Sequence, residues 1–506
     1  MMSIKQRIAK RWAKRAVKAT KKWAQNPIKT QNKVLMDLVK TAKNTAFGRD
    51  HDYANIKTYS DFASRVPVRD YEGLRPYVDR MVAGEADVLW QGKPLYFSKT
   101  SGTTSGVKYI PISKESMPTH IKTAQNALFH YIHNSGDASF VDGKWIFLQG
   151  SPTLSKTNGI STGRLSGIVA HYVPSYLQRN RLPSWKTNCI DDWEQKVDAI
   201  VEETRQEDMR LISGIPPWVK MYFERLKEKS GKSISELFPN FSLFVYGGVN
   251  YEPYRDVLEE LIGRKVDSVE LYPASEAFIA FQDQLDEKGM LLQLDSGVFY
   301  EFVEADKAFD ENPTRVSLAE VKLGVNYAVI LNTSAGLWGY NIGDTVEFVS
   351  LHPYRIIVSG RIKHFISAFG EHVIGKEVEQ AMNNTVKKHQ AFVSEFTVAP
   401  HINPQEGLSH HEWWVAFETP PKDLATFTAT LDMEMRQQNT YYDDLISGGV
   451  LRPLIIRTLP ADAFEHYMKS IGKLGGQNKT PRLTNDRKVA ESLNKLFYIK
   501  YHACFT

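Results

Sequence analysis

Cysteine is almost missing from this chain: Cys189 and Cys504 are the only two among 506 residues. That is too few for a disulfide framework or a cysteine-ligated zinc site, and a reducing, cytoplasmic setting is expected. No apolar run reaches the roughly 18 residues that span a bilayer, and the basic start lacks the apolar stretch of a secretory signal, so a soluble protein is expected. Acidic residues are absent from the first 33 positions, which hold 11 cations: Lys5, Arg7, Lys10, Arg11, Lys14, Arg15, Lys18, Lys21, Lys22, Lys29 and Lys33. Removing these from the 63 basic residues leaves 52 against 58 acidic ones, so the net +5 is a basic head on a body of −6. A body of that sign does not suit phosphate neutralisation along a face, and no nucleic-acid partner is expected. The head has helical composition and carries Trp12 and Trp23. It could make a weak contact with an anionic membrane surface, but the plainer expectation is a solvated helix leading into the fold.

What is present is the composition of a folded protein: 42% apolar and 24% charged residues exclude the disordered and fibrous classes. The length exceeds one ordinary core and implies at least two lobes. Val34, Leu35, Leu38, Val39 and Ala42 recur at helical spacing over Lys33 to Lys43, and a loop-rich stretch with Pro67, Pro76 and Pro94 follows. Short strands are predicted at Leu95 to Ser98 and Tyr109 to Ile112, with a helix from Lys114 to His133. Apolar runs at Trp145 to Leu148, Leu243 to Tyr246 and Val266 to Leu271 then alternate with helical patterns, which indicates α/β layers with parallel strands. From Met290 to Val358 strand follows strand, predicting an antiparallel β subdomain. After Gly360 a smaller α+β module begins. The chain therefore divides into a basic N-terminal helix (1–33), a large α/β domain of several subdomains (34–359) and a smaller C-terminal domain (360–506).

Four segments offer chemistry. Between the first two strands, Ser98-Lys99-Thr100-Ser101-Gly102-Thr103-Thr104-Ser105-Gly106-Val107-Lys108-Tyr109 concentrates hydroxyls and glycine amides that can wrap phosphate oxygens, with Lys108 as counter-charge. It is not a P-loop: three residues rather than four separate Gly102 from Gly106, Val107 precedes Lys108, and a strand follows. The plainer alternative is a flexible Ser/Gly hairpin. The second segment, Leu271-Tyr272-Pro273-Ala274-Ser275-Glu276, closes a predicted strand, where a tyrosine can stack on a base and a glutamate can hold magnesium. Third is Gly339-Tyr340-Asn341-Ile342-Gly343-Asp344, read as a turn ending in a carboxylate suited to a ribose diol, or as an ordinary Asp-containing turn. Fourth is Gly360-Arg361-Ile362-Lys363-His364-Phe365-Ile366-Ser367-Ala368-Phe369-Gly370-Glu371-His372-Val373, on the domain boundary.

In this order and at these separations the four segments resemble the adenylate-forming superfamily of acyl and aryl ligases. Pro216-Pro217-Trp218, Tyr222-Phe223-Glu224-Arg225-Leu226 and the tail Gly476-Gln477-Asn478-Lys479-Thr480-Pro481-Arg482 make the chain resemble the Gretchen Hagen family of acyl acid amido synthetases. The resemblance runs from about Ile28 to the C-terminus. Thr104-Ser105, where plant members usually have Ser-Ala, Pro273 in place of a small residue, and Lys363, where many ligases carry aspartate, point to the bacterial side of the family.

The resemblance implies an adenylating N-terminal domain and a mobile C-terminal lid. It also implies ATP and Mg2+, a small carboxylic acid and an amino acid or other amine as substrates, and a monomer or weak dimer. By position, Ser101, Gly102, Thr103, Thr104 and Gly106 would cradle phosphate and Lys108 would add charge. Tyr272 and Ser275 would lie against the nucleotide, Glu276 would hold magnesium, Asp344 would grip the ribose hydroxyls, and Gly247 and Gly248 would let the backbone approach adenine. Arg361 would contact nucleotide at the hinge that ends at Lys363, and Lys479 would be the catalytic lysine on a movable glycine-rich loop. An acyl pocket is expected between Thr123 and Tyr176, with Phe129, Tyr131, Phe140, Tyr172 and Tyr176 as candidate lining, most of them expected in the core instead. Two other readings stay open: the same adenylation followed by transfer to coenzyme A or a protein thiol, and a non-catalytic nucleotide-binding or membrane-associated protein.

Overall fold

In the computed structural model the described residues are 2–103, 106–173, 178–190, 193–249, 251–308, 310, 312–361, 365–366, 368–371, 373–471 and 480–497. The chain forms two units, one of Met1–Asp191 with Gln195–Ile362, the other of Lys363–Thr506 with Asp192–Glu194. The division falls just beyond Gly360 because the strand Tyr354–Arg361 runs through that glycine, which faces Thr345 on the neighbouring strand.

The first unit is organised by a sheet of twelve strands among the described residues. One half is parallel, in the order Arg181–Leu182, Lys144–Phe147, Met209–Ser213, Leu243–Gly247, Asp267–Pro273. The other half is antiparallel: Phe278–Phe281, Met290–Leu292, Tyr354–Arg361, Tyr340–Leu351, Asn326–Thr333, Val298–Glu304, Arg315–Ser317. The strands expected as an antiparallel subdomain are thus bonded directly to the parallel layer. Their sequences explain this, since every residue from Val298 to Val303 is buried and Phe278–Phe281 is buried throughout. A strand covered on both faces reads as an unbroken apolar run. The sheet changes from parallel to antiparallel between Asp267–Pro273 and Phe278–Phe281, where Ala274, Ser275, Glu276 and Ala277 make the connection.

A second sheet of four strands orders Gly106–Ile112, Tyr96–Thr103, Ile160–Gly163 and Ser155–Thr157. Both hairpin strands extend further into the Ser/Thr/Gly segment than its composition suggests, pairing Thr100 with Lys108 and Thr103 with Gly106 across an irregular register. The proline-containing stretch before it holds two helices, Tyr59–Arg65 and Tyr71–Val82, rather than loop. Thr58 and Asp61 form a capping box, Asp70 accepts from the Gly73 amide, and Leu74, Val78 and Met81 are buried at helical spacing. These local signals outweigh Pro76, which lies inside the second helix.

The basic head is the helix Ile4–Ala24, and the next helix, Pro27–Ala42, starts before residue 33 with Pro27 in its first turn. Ser3 caps the first helix, and both Ser3 and Gln6 donate to Asp142 at 2.6 Å. Ala9, Ala13, Val17, Thr20 and Trp23 form its buried face, and the Trp12 ring meets Phe129 of the helix Met117–Ser135 edge-on at 6.5 Å.

The second unit contains a three-stranded sheet, Phe392–His401 antiparallel to His410–Thr419, which is parallel to Ile455–Leu459. Its middle strand is buried from His410 to Phe417. Glu371 of the fourth segment belongs to this interior: its Oε1 lies 2.8 Å from His411 Nε2, and both side chains are fully buried.

Candidate active site

The last parallel strand, Asp267–Pro273, delivers Tyr272 and the Ser275-Glu276 pair to the edge of its own half-sheet. Three hydrogen bonds then join segments distant in sequence. Ser98, fully buried in the Ser/Thr/Gly hairpin, donates from Oγ to Ser275 Oγ at 2.9 Å. Tyr272 donates from its hydroxyl to Asp344 Oδ2 at 2.7 Å, and Tyr340 donates to Glu276 Oε1 at 3.4 Å. Asp344 in turn stands opposite Arg361 on the adjacent strand. The first three segments and the opening of the fourth therefore meet at one place in the first unit.

Asp344 differs from its expected setting. It lies within the strand Tyr340–Leu351, not at the end of a turn, because Gly339 (φ 55°) and Gly343 (φ 85°) take left-handed backbone around the strand start. Arg69 clamps this segment through its own backbone, donating to the Gly339 carbonyl at 2.8 Å and accepting from the Asn341 amide at 2.7 Å. Asn332 accepts from the Gly339 amide at 2.7 Å and donates to Glu301 Oε2 at 2.9 Å, while Arg315 pairs with Glu301 at 3.1 Å. Burial raises the Glu301 pKa, and the Arg315 guanidinium opposes that shift. A buried, bonded polar network of this kind fixes geometry strongly.

The hairpin is braced by Tyr71, whose hydroxyl accepts from the Tyr109 amide at 2.8 Å and whose pKa is raised chiefly by burial. Lys108 stands opposite Thr100 with Nζ 5.6 Å from the Tyr71 ring centroid. The backbone of Ser101, Gly102, Thr103 and Gly106 lies in the two hairpin strands, and that of Arg361 ends its strand. Thr104, Lys363 and Lys479 lie outside the described residues.

Gly247 has a packing reason for being glycine. It pairs with Leu271 in the parallel ladder, and a Cβ would come within 2.3 Å of the Leu271 carbonyl oxygen. Gly248 takes φ 79°, turning the chain away at the strand end. Of the aromatic candidates for the acyl pocket, Tyr131 and Phe140 are buried core, with Tyr131 donating to Asp267 Oδ2 at 3.0 Å, and Phe129 meets Trp12. Tyr172 donates to the Tyr96 hydroxyl at 3.1 Å, at the root of the Ser/Thr/Gly hairpin. Tyr176 lies outside the described residues.

Sequence reasoning missed Arg69, Tyr71, Tyr340 as a partner of Glu276, and the Glu301–Arg315–Asn332 network. The last had a signal: Glu301 interrupts the apolar run Val298 to Val303, and a carboxylate there demands a buried partner. One further cluster, His401, His410 and Glu412 in the second unit, brings potential metal-ligating atoms within 4.8 Å of one another. Arg457 and Arg487 already occupy the two Glu412 oxygens at 2.8 and 2.6 Å, so that carboxylate is neutralised without a metal.

The chain matches the GH3 family N-terminal domain over residues 16–188, the GH3 family central domain over 291–361 and the GH3 family C-terminal domain over 376–488. It belongs to the GH3 family. The jasmonoyl–L-amino acid synthetase JAR4 of Nicotiana attenuata is 23% identical over 59% of this chain and 63% of its own length. The indole-3-acetic acid-amido synthetase GH3.10 of Arabidopsis thaliana is also 23% identical, over 86% and 87%. Among solved structures, the AtGH3.15 acyl acid amido synthetase in complex with 2,4-DB matches with a TM-score of 0.60 over 96% of each chain at 18% identity. A 2-hydroxyisobutyryl-CoA ligase in complex with 2-HIB-AMP and CoA matches at 0.59 over 94% and 92%, at 14% identity. GH3 proteins and this ligase share the fold, and the fold alone does not separate amide from thioester formation.

Proposed function

We propose that this GH3 chain is an ATP-dependent acyl acid amido synthetase, a ligase that activates a carboxylic acid as acyl-AMP and passes the acyl group to an amino acid or other amine. The observation that carries the assignment of residues is the convergence of the hairpin, Tyr272, Ser275, Glu276 and Asp344 through the Ser98–Ser275, Tyr272–Asp344 and Tyr340–Glu276 bonds. In the first half-reaction a carboxylate oxygen attacks the α-phosphorus and pyrophosphate leaves. In the second the amine attacks the acyl carbon, AMP leaves, and the amine gives up a proton.

Both reactants of the first step are anions, so the protein must offset charge where they meet. The amides and hydroxyls from Ser101 to Gly106 receive phosphate oxygens, with Lys108 supplying a positive charge held over the Tyr71 ring. Asp344 receives the ribose hydroxyls, and the Tyr272 hydroxyl fixes the carboxylate for that task. Glu276, a single carboxylate held by Tyr340, suits a magnesium ion that keeps most of its shell for phosphate and water. Glu276 would hold the ion there, and the chemistry it would supply is neutralisation of charge on the triphosphate. Gly248, where an added Cβ would have only Ile215 nearby at 3.7 Å, leaves room for the adenine, and Arg361 closes the strand beside Asp344. Lys479 takes the role the family resemblance gives it, stabilising charge between the carboxylate and the α-phosphate.

Lys479→Ala is expected to abolish acid-dependent ATP/pyrophosphate exchange while ATP binding, measured by calorimetry, stays within a few-fold of the wild type. Such a residue acts on the transition state rather than on ground-state affinity. The acceptor is tested by a mass-spectrometric screen of carboxylic acids with ATP and either an amino-acid mixture or coenzyme A. AMP with an amide conjugate is the expected result. A coenzyme thioester alone would move the protein to the thioester ligases, and no AMP with any acid would exclude adenylation of every acid tried.

A further inference from the structure

We propose that the outward face of the N-terminal helix Ile4–Ala24 is a docking surface for an anionic lipid bilayer. This inference stands apart from the adenylation site. The helix carries nine cations and no acidic residue. Its inner side is already used: Ala9, Ala13, Val17, Thr20 and Trp23 are buried, and Ser3 and Gln6 at its start are bonded to Asp142. At 100° per residue, Arg7, Arg11, Lys14, Arg15, Lys18 and Lys22 project to the opposite side, and all six are exposed. Among the described residues none of the nine cations forms an ion pair. A solvated surface helix ordinarily mixes both signs of charge at i,i+4 spacing, so this arrangement leaves a fixed field unopposed.

Apolar side chains lie beside that field. Ile4 is 74% exposed, and Ile8 and Trp12 are each 45% exposed. Their spacing of four places them in one stripe that starts among the cations at Ile4 and crosses the border of the cationic face through Ile8 to Trp12. Single exposed apolar residues need no explanation, but an aliphatic and tryptophan stripe next to a row of cations is the pattern of a helix lying in a membrane interface. Lysine and arginine meet anionic headgroups while isoleucine and the indole enter the headgroup boundary. A nucleic acid would use the cations but has no place for the isoleucines, so the bilayer is the partner that accounts for both features. The body, at −6, is repelled by the same surface. That leaves the head as the part that makes contact and sets one orientation.

The test is flotation of the full-length protein with vesicles of phosphatidylcholine alone, or with one third phosphatidylglycerol. Co-flotation is expected with the anionic vesicles and not with the neutral ones. It is expected to be lost when salt is raised from about 0.1 M to about 1 M, which shortens the screening length from about 10 Å to about 3 Å. Each basic residue near an anionic surface strengthens partitioning by roughly fivefold, so reversing Arg7, Arg11, Lys14 and Lys18 to glutamate should weaken it at least about 100-fold. Ile4→Ser with Ile8→Ser should weaken it about tenfold at unchanged charge. The altered side chains are exposed, and unchanged thermal melting of both variants is the expected control. Equal flotation with neutral vesicles would overturn the proposal. So would full binding of the isoleucine variant to anionic vesicles, or binding of a random-sequence DNA duplex as strong as that of the vesicles.

Discussion

Tyr272 and Asp344 are 7% and 9% exposed, and a 2.7 Å bond orients one by the other. A hydrogen bond to a charged group contributes about 1.5–3 kcal/mol, part of which is ordinary stability. Tyr272→Phe keeps the ring and deletes only this bond. The KM for ATP is therefore expected to rise about three- to tenfold, with kcat changed less than about twofold, in steady-state assays. Another residue-scale effect concerns His120, buried in the helix that follows the hairpin, where desolvation holds its pKa down to about 4. It folds as a neutral ring, whereas the unfolded chain binds a proton near pH 6.5. Stability is therefore complete above pH 6.5 and falls with pH toward 4, by about 1.4 kcal/mol per pH unit for such a group. His130, with its pKa likewise near 4, adds to the slope. Urea denaturation at pH 7 and pH 5 should show His120→Gln losing less stability than the wild type over that interval; an equal loss would contradict the assigned burial cost.

At the scale of elements, the strand Asp267–Pro273 is the one that positions the site, and Gly247 permits its close approach to Leu243–Gly247. Gly247→Ala forces a Cβ against the Leu271 carbonyl, a backbone atom that cannot swing aside. Overpacking of this sort costs about 1–3 kcal/mol, measurable as a lower urea midpoint, and the KM for ATP should rise with it because Tyr272 lies on the displaced strand. The elements differ in how far the sequence discloses them. Val298–Glu304 and Leu243–Gly247 are readable because strands covered on both faces need long apolar runs, interrupted in the first only by Glu301 before its end. Tyr71–Val82 is not, since Pro76 hides a helix that its Asp70 cap and buried Leu74, Val78 and Met81 support. The segment ending in Asp344 reads as a turn because its glycines are visible and its partner strands are not. The site residues are legible only through the order of the four segments. The bonds that assemble them span 177, 72 and 64 residues, and no local pattern encodes contacts at that range.

For the whole molecule, charge and length acquire separate explanations. The net +5 divides into the 11 cations of residues 1–33, nine of them on a helix anchored on one face, and a body of −6. Under the proposed function, that body would accommodate a polyanion through local amides, hydroxyls and Lys108 rather than through net charge. The 506 residues divide into two units, the first of which contains every described candidate residue for nucleotide binding. No helix among the described residues is long and apolar enough to cross a membrane. The claim on which the rest depends is that the assembled site adenylates a carboxylic acid. Incorporation of labelled pyrophosphate into ATP, measured over a panel of carboxylic acids, tests it most directly. The account predicts exchange that requires an acid and disappears in Lys479→Ala; exchange at the wild-type rate in that variant, or ATP binding without exchange for any acid, would contradict it.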